Sequence, residues 1–367
     1  MSAAARGPSD RPLSVAERIE GVGARLLDRL PGWAKVLLSG ERAIVIDGQT
    51  LDPQIQLVRA IRRWKKVPGL CDPDLASARA RYRRDAFVYR GPIVPVREAR
   101  ELAVDGAAGP LAARLYLPPV DTEPPALLVY YHGGGFVIGD LDTHDAACRI
   151  LCRRSGVRVL AVTYRLAPEH PHPAAVDDAC AAYRWARRHA GRLGVASARV
   201  AVGGDSAGGN LAAVVAREET RRGAPPLLQL LVYPSSDSAT PRPARALFDD
   251  GFFLTARDED EFMRRYVDDV GVSRHDPRVS PLLAIDLGGL PPAIVVTAGF
   301  DVLRDQGRAY AEALRDAGVP LVARHLPSLP HGFLHMTGVS RSAHHAVTEI
   351  GDALRALAIT DRPSSEP

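Results

Sequence analysis

Ser206 is the residue of this chain whose surroundings most clearly favour chemistry. It lies in GDSAG at residues 204–208, which is a G-x-S-x-G arrangement. The β-like run ARVAV precedes this stretch, and the helix-like run NLAAVVARE follows it. A serine at such a turn adopts a strained backbone, and its small neighbours let strand and helix approach closely. A phosphate-binding loop is the alternative, but no Lys or Thr follows as that loop requires, so we predict that Ser206 is a nucleophile.

A nucleophilic serine needs a base and an acid, and in this strand–turn–helix setting the acid and then the histidine follow the serine along the chain. Asp301 lies just beyond the β-like run AIVVTAG, whereas the competing Asp305 has a position typical of a helix start. His331 lies in a loop after the β-like run LVARHL and precedes a glycine. His325 alternates within that run, and His335 lies further along. We therefore predict that Asp301 and His331 complete a triad with the serine.

Three consecutive glycines follow an earlier β-like run in YYHGGGF, residues 130–136. Glycines at this position allow backbone N–H groups to turn toward a ligand without obstruction by a Cβ atom. We expect Gly134, Gly135 and Ala207 to donate hydrogen bonds to the oxyanion of a tetrahedral intermediate. His132 precedes the serine in the chain, so we expect it to support the loop rather than act as the base. This chemistry requires no metal and no organic cofactor.

The elements that must position these residues alternate along the chain. Beyond residue 97, apolar β-like runs alternate with helix-like runs, which predicts an α/β fold with a mostly parallel sheet and helices on both faces. The first two runs, REARELAV and LAARLYL, are predicted to be antiparallel. The final helix is expected near Ala346–Leu357, where apolar residues recur at helical spacing.

Two segments interrupt this alternation, and we expect them to form a helical cap over the pocket. We predict an N-terminal helical cap segment over residues 1–90 and a cap insertion over residues 236–275. The core then comprises residues 91–235 and 276–360. The termini, residues 1–12 and 360–367, are rich in Pro, Ser, Asp and Arg and are predicted to be disordered.

The composition restricts the partners of the protein. The 367 residues are 46% hydrophobic and 25% charged, with a formal net charge of only +4, so nothing calls for nucleic acid as a partner. Two basic runs, Arg59–Lys66 and Arg79–Arg84, are predicted to be solvated helix faces, and a membrane surface or acidic partner is the alternative. No apolar stretch is long enough for a secretory signal or a membrane span.

The cysteines favour a reducing, cytoplasmic location. Four cysteines are too few for a disulfide scaffold in a chain of this length. His144, Cys148 and Cys152 recur at helical spacing, which raises a metal site, but nothing nearby in the sequence completes a tetrahedral ligand set. We therefore expect small buried thiols here and no bound metal.

With these motifs in place, the sequence resembles the hormone-sensitive-lipase family of α/β-hydrolase esterases, of the bacterial family IV type. The matching stretches, in order, are HGGGF (132–136), YRLAPEHPHPAA (164–175), GDSAGGN (204–210), DPRVSPLLA (276–284), GFDVLRDQG (299–307) and HGF (331–333). The resemblance implies hydrolysis of short- to medium-chain carboxylic esters, with small-molecule esters as substrates. It supports the same triad and oxyanion donors, and it implies N-terminal cap helices over Leu51–Arg84. It also suggests a homodimer formed through the final edge strand and helix, and Asp205 is expected to provide hydrogen-bonding support.

Other functions remain open at this point. An amidase, deacetylase or peptidase would use the same triad, and the sequence does not separate it from an esterase. A ligand-binding receptor on the same fold, which keeps the serine but loses the histidine, is disfavoured because His331 is present. A true interfacial lipase is disfavoured because the insertion carries the charged stretch TARDEDEF instead of a strongly apolar lid.

Overall fold

The computed structural model of the protein describes residues 15–71 and 74–359. The terminal segments that the sequence predicts to be disordered lie outside these residues. The strands are β1 (Val45–Ile46), β2 (Gln49–Thr50), β3 (Glu98–Asp105), β4 (Pro110–Leu117), β5 (Leu127–Tyr131), β6 (Arg158–Val162), β7 (Val200–Asp205), β8 (Gln229–Val232), β9 (Ala293–Phe300) and β10 (Leu321–Pro330). The helices are α1 (Val15–Leu27), α2 (Gly32–Leu38), α3 (Pro53–Trp64), α4 (Leu75–Tyr89), α5 (Leu141–Ser155), α6 (Ala174–Arg188), α7 (Ala207–Arg221), α8 (Pro243–Leu247), α9 (Ala256–Tyr266), α10 (Arg304–Asp316) and α11 (Arg341–Ile359).

Eight strands form one sheet in the order β10-β9-β8-β7-β5-β6-β4-β3. Strands β5 to β10 pair in parallel, whereas β4 is antiparallel to both of its neighbours. The residues of β5, β7, β8 and β9 are all buried, as expected for parallel strands covered on both faces. The predicted α/β class and the antiparallel start of the sheet are thus confirmed.

The strand order places the site. The chain moves from β5 to β6 on one side and then returns across β5 to β7, so the direction of winding reverses at β5. Because crossovers between parallel strands are right-handed, this reversal puts α5 on the opposite face from α6 and α7. Helix α11 packs against α5, and α6 packs against α7. The crevice beyond the carboxyl ends of β5 and β7 is the position at which such sheets bind ligands.

The N-terminal helices are tied to the insertion between β8 and β9. Helix α3 begins after Asp52, whose carboxylate accepts hydrogen bonds from the N–H groups of Gln54 and Ile55. The side chain of Arg59 in α3 donates to the carbonyl oxygen of Gly251 in the insertion (2.7 Å). No helix within the described ranges is both long and apolar enough to cross a membrane.

The structure departs from the sequence expectations in the N-terminal segment, where β1 and β2 form an antiparallel pair, at the start of the last helix and in the basic runs. Helix α11 begins at Arg341, earlier than expected, because the Ser340 hydroxyl accepts the N–H of Ala343 and supports the first turn. The basic runs are only partly solvated. Arg62 pairs with Asp85 at 2.6 Å while its side chain is 18% exposed, so part of the run is used in internal ion pairs.

Candidate active site

The turn at Ser206 has the strained geometry expected of a nucleophile elbow. Ser206 has φ 55° and ψ −118°, which is unusual for a residue with a Cβ atom. Its N–H donates to the carbonyl oxygen of Val232 in β8 (2.9 Å), which fixes the turn to the sheet. A Cβ atom at Gly208 would lie 1.9 Å from the carbonyl oxygen of Tyr131. Only glycine therefore lets the start of α7 pass this close to β5.

The structure brings the three predicted triad residues together. The His331 Nε2 atom lies 3.0 Å from Ser206 Oγ, and His331 Nδ1 lies 2.9 Å from Asp301 Oδ2. The other carboxylate oxygen of Asp301 accepts the N–H of Leu303 (2.8 Å). For the carboxylate to accept from Nδ1, that nitrogen must carry the proton. The lone pair of Nε2 is then available to accept the serine proton.

The competing residues lie elsewhere. Asp305, near the start of α10, accepts a hydrogen bond from the N–H of Ala244 at 2.8 Å. His325 lies in β10 and forms hydrogen bonds with Thr297 (3.0 Å) and Gln49 (2.7 Å). Neither side chain takes part in the chain of hydrogen bonds to the serine.

The glycine loop and the first residue of α7 surround the serine with backbone N–H groups. Within the described part of the chain, the N–H groups of Gly134, Gly135 and Ala207 donate to no protein acceptor, and all three residues line the pocket that contains Ser206. Gly134 has φ +119°, and a Cβ atom there would lie 2.2 Å from the carbonyl oxygen of Ile138. A Cβ atom at Gly135 would lie 2.2 Å from the Phe262 ring. The loop therefore depends on glycine at both positions.

His132 supports this loop from behind. Its Nδ1 atom lies 2.8 Å from the carbonyl oxygen of Gly133, and its ring stacks on Tyr164 with centroids 4.4 Å apart. The Tyr164 hydroxyl donates to the backbone carbonyl of His132 (2.7 Å). Burial, together with the neighbouring His144, lowers the pKa of His132 to about 4. The imidazole is therefore neutral at pH 7.

Asp205 joins the glycine loop to the nucleophile elbow. Its Oδ1 atom accepts hydrogen bonds from the N–H of Gly133 (3.0 Å) and the hydroxyl of Tyr130 (2.8 Å), and it lies 3.2 Å from His144 Nε2. Burial opposes ionisation, but His144, His335 and the Tyr130 hydrogen bond together hold the pKa of Asp205 well below its usual range. This carboxylate thus fixes the start of the glycine loop relative to Ser206.

Histidine and aspartate side chains, which are common metal ligands, lie close together behind the serine. Donor atoms of His144, Asp205 and His335 lie within 4.8 Å of one another. Hydrogen bonds already use the nitrogens of His335, because Nε2 lies 2.8 Å from the Tyr82 hydroxyl and Nδ1 lies 3.1 Å from the carbonyl oxygen of Thr143. With the Asp205 contacts above, these groups form a hydrogen-bonding network. The sequence analysis expected Asp205 to give hydrogen-bonding support but did not identify its partners, since they lie far apart along the chain.

Cys148 and Cys152 are buried free thiols. Burial raises the pKa of Cys152 to about 12, and burial with Asp145 nearby raises the pKa of Cys148 well above its usual range. Both thiols are therefore protonated at neutral pH in this fold.

A pocket of about 970 Å³, including its open mouth, lies next to Ser206. Its walls come from the glycine loop, from α4 and from α9. The apolar lining residues include Leu70, Ala86, Phe136, Ile138, Phe253, Leu254, Phe262, Met263, Leu303 and Met336. The polar lining includes Tyr82, Tyr89, His335, Glu259 and the Arg62–Asp85 ion pair. A mostly apolar cavity with a few polar groups suits a small organic substrate.

Known proteins share this architecture. The family described as alpha/beta hydrolase fold matches residues 128–335. The chain is 46% identical over 359 residues to the carboxylic ester hydrolase LipN of Mycobacterium tuberculosis, and the match covers 95% of each protein. It is 37% identical over 308 residues to the ethyl acetate hydrolase of Pseudomonas putida, which covers 82% of this chain and 96% of that enzyme.

Solved structures give the same result. The ester hydrolase EH1AB1 from the metagenome of Lake Arreo matches with a TM-score of 0.79 at 38% identity, over 85% of this chain and 99% of that chain. The hyperthermophilic esterase of the archaeon Pyrobaculum calidifontis matches with a TM-score of 0.76 at 36% identity, over 83% of this chain and 98% of that chain. The chain therefore belongs to the α/β hydrolase fold family and, within it, to the carboxylic ester hydrolases that resemble hormone-sensitive lipase.

Proposed function

We propose that this carboxylic ester hydrolase hydrolyses short- to medium-chain esters through an acyl-enzyme on Ser206, with His331 as general base and acid and Asp301 as its partner. The observation that carries the proposal is the continuous hydrogen-bonded chain Asp301–His331–Ser206, which ends at an apolar pocket. Ester hydrolysis needs this combination of an activated nucleophile, a positioned base and an accessible cavity.

In the acylation step, Ser206 Oγ attacks the ester carbonyl carbon as its proton passes to His331 Nε2. The carbonyl oxygen becomes an oxyanion, which accepts hydrogen bonds from the N–H groups of Gly134, Gly135 and Ala207. Asp301 stabilises the imidazolium and holds its orientation. The carbon–oxygen bond to the leaving alcohol then breaks, and His331 returns the proton to that alcohol.

Deacylation follows the same route in reverse. Water loses a proton to His331 Nε2 and attacks the acyl carbon. The second tetrahedral intermediate uses the same oxyanion donors. Its collapse breaks the bond to Ser206 Oγ, which regains the proton from His331 and releases the carboxylic acid.

The triad is tested by single substitutions measured on p-nitrophenyl butyrate. Ser206→Ala is expected to lower kcat by about 10⁴-fold or more. Ser235 lines the same pocket and is buried to the same extent, so Ser235→Ala is the matched control and is expected to retain turnover. Near-complete activity of the Ser206→Ala enzyme would refute the proposed role of this serine.

Three further features belong to the proposal. The N-terminal helices within residues 1–90 and the insertion at residues 236–275 act together as a cap, which the Arg59–Gly251 hydrogen bond supports. The enzyme works in the cytoplasm, which its four free cysteines support. It forms a homodimer through the sheet edge at β10 and the adjacent α11, and sedimentation at two protein concentrations tests this, since a monomer at both would contradict it.

A further inference from the structure

One carboxylate in the active-site pocket has no role in the proposed hydrolysis. Glu259 lies in α9 and lines the pocket that contains Ser206 and His331. Its side chain is only 13% exposed. Its immediate neighbours along the wall, Phe262 and Met263, are apolar. A buried carboxylate is costly unless its oxygens accept hydrogen bonds. The donors around Glu259 therefore show which of its oxygens remains for a substrate.

Only one oxygen of this carboxylate is used by the protein. The Arg245 Nε atom donates to Glu259 Oε2 at 3.2 Å. The same guanidinium is shared, since it also pairs with Asp260 (2.6 Å) and donates to the carbonyl oxygen of Ala256 (3.2 Å). Within the described ranges, Glu259 Oε1 accepts no hydrogen bond. Glu259 therefore brings to the pocket lining a carboxylate with one oxygen that no protein donor uses.

The charges around Glu259 determine whether a cationic or a neutral donor fits its free oxygen. Burial raises the pKa of Glu259 to about 7, against the opposing effect of Arg245, and the carboxylates of Asp260 and Asp301 contribute to the rise. Arg245 neutralises part of the local negative charge, and a cationic group would also lose its hydration in this mostly apolar cavity, which is costly. A neutral hydroxyl donates one hydrogen bond and carries no such cost.

We infer that Glu259 selects esters that carry a hydroxyl group near the ester bond, through a hydrogen bond to its free oxygen. This inference rests on the proposed esterase function and specifies its substrate class. Glu259 is then a specificity-determining residue and takes no part in the bond-breaking steps. Above pH 7, where the Glu259 carboxylate is ionised, a hydrogen bond to it is expected to change relative rates by about tenfold or more.

Two matched pairs of esters test the inference by a ratio of kcat/KM values. Glyceryl monobutyrate is compared with propyl butyrate, which lacks the hydroxyls on the alcohol side. Methyl 3-hydroxybutyrate is compared with methyl butyrate, which lacks the hydroxyl on the acyl side. In Glu259→Leu the hydroxylated-to-plain ratio is expected to fall by about tenfold or more in at least one pair. The rate on the plain ester of each pair is the internal reference for the ratio.

Two further variants separate a binding role from a structural one. Asp260→Asn removes the other acidic partner of Arg245 but lies outside the pocket lining, so its ratios are expected to match those of the wild type. Glu259→Gln keeps an acceptor oxygen and is expected to give an intermediate ratio, which also provides a reading if the leucine variant folds poorly.

The inference is overturned if both ratios in Glu259→Leu, or in Glu259→Gln where the leucine variant does not fold, stay within about twofold of the wild type while the plain esters are still hydrolysed. An equal loss in Asp260→Asn would also overturn it, because the effect would then come from Arg245. If the wild-type enzyme hydrolyses none of the four esters, the proposed function fails and the inference fails with it.

Discussion

At the scale of single residues, the site consists of a serine in a strained turn, a glycine loop with free N–H groups and a set of buried polar side chains behind them. Ser206 and the glycine loop are recognisable because the strained turn and the free N–H groups need glycine at fixed local positions. Asp205, His144 and His335 form a network that arises only when β7, α5 and the loop after β10 meet in space. No local pattern encodes such a meeting, so the support behind the serine could not be predicted in detail.

The glycine loop gives the first residue-scale prediction. Gly134→Ala is expected to lower kcat by about 10²–10³-fold, because the new Cβ atom would contact the Ile138 carbonyl and displace an oxyanion donor. Gly191→Ala is the control, since a Cβ atom there meets nothing within 4 Å. Unchanged steady-state turnover of butyrate esters by the Gly134→Ala enzyme would argue against the proposed oxyanion role.

The Asp205 carboxylate behind the serine gives the second residue-scale prediction. Asp205→Ala removes the acceptor of the buried Tyr130 hydroxyl, which is left unsatisfied, and one of the two acceptors of the Gly133 N–H. We expect the free energy of unfolding in urea to fall by about 3 kcal/mol, with a lower kcat as well. Glu98→Ala removes one partner of the exposed Arg100–Glu98 ion pair and is expected to cost less than about 1 kcal/mol. Equal losses in the two variants would contradict this account.

At the scale of elements, the alternation of buried strands and helices was predictable because a parallel sheet needs apolar runs covered by crossover helices. The elements around the pocket were less predictable. The basic run in α4 read as a solvated face, yet the Arg79 guanidinium donates to the carbonyl oxygens of Val137 (2.9 Å) and Ala167 (3.2 Å). The donor in these long-range contacts is an arginine, a residue type that sequence patterns assign to the surface. The contacts could therefore not be predicted from the sequence.

The hydrogen bond from Arg79 to Val137, which follows the glycine loop, predicts that α4 helps to fix that loop. Arg79→Met keeps most of the side-chain length but removes both donors to the carbonyls, so kcat is expected to fall by about tenfold. Arg79 also pairs with the exposed Glu169. Glu169→Gln removes only this surface pair and is expected to leave kcat nearly unchanged. A loss of activity in Glu169→Gln equal to that in Arg79→Met would show that the surface ion pair, and not the loop contact, matters.

At the scale of the whole molecule, buried histidines are expected to set the acid limit of stability. Burial lowers the pKa of His335 to about 3, with His144 adding to the effect, and the pKa of His132 is lowered to about 4. The unfolded chain binds these protons near pH 6.5 and the folded chain does not. Stability is therefore complete above about pH 6.5 and is lost as the pH falls toward 4. Glu259 acts in the opposite direction between about pH 4.5 and 7, but burial lowers the pKa values of His172 and His325 as well, so the histidines outnumber it.

Urea unfolding between pH 7 and 4.5 measures this effect. Each histidine kept neutral by the fold contributes a slope of about 1.4 kcal/mol per pH unit. His335→Gln is expected to reduce the slope by about this amount, whereas His345→Gln, at an exposed position, is expected to leave it unchanged. A slope in His335→Gln equal to that of the wild type would contradict the assignment.

The most direct test of the central claim is covalent labelling by diethyl p-nitrophenyl phosphate, followed by mass spectrometry of the intact protein and its peptides. The account predicts one diethylphosphoryl group per chain, attached to Ser206, with loss of esterase activity in proportion to labelling. The Ser206→Ala enzyme should remain unlabelled. A label on another residue, or full esterase activity after complete labelling of Ser206, would contradict the claim that this serine forms the acyl-enzyme.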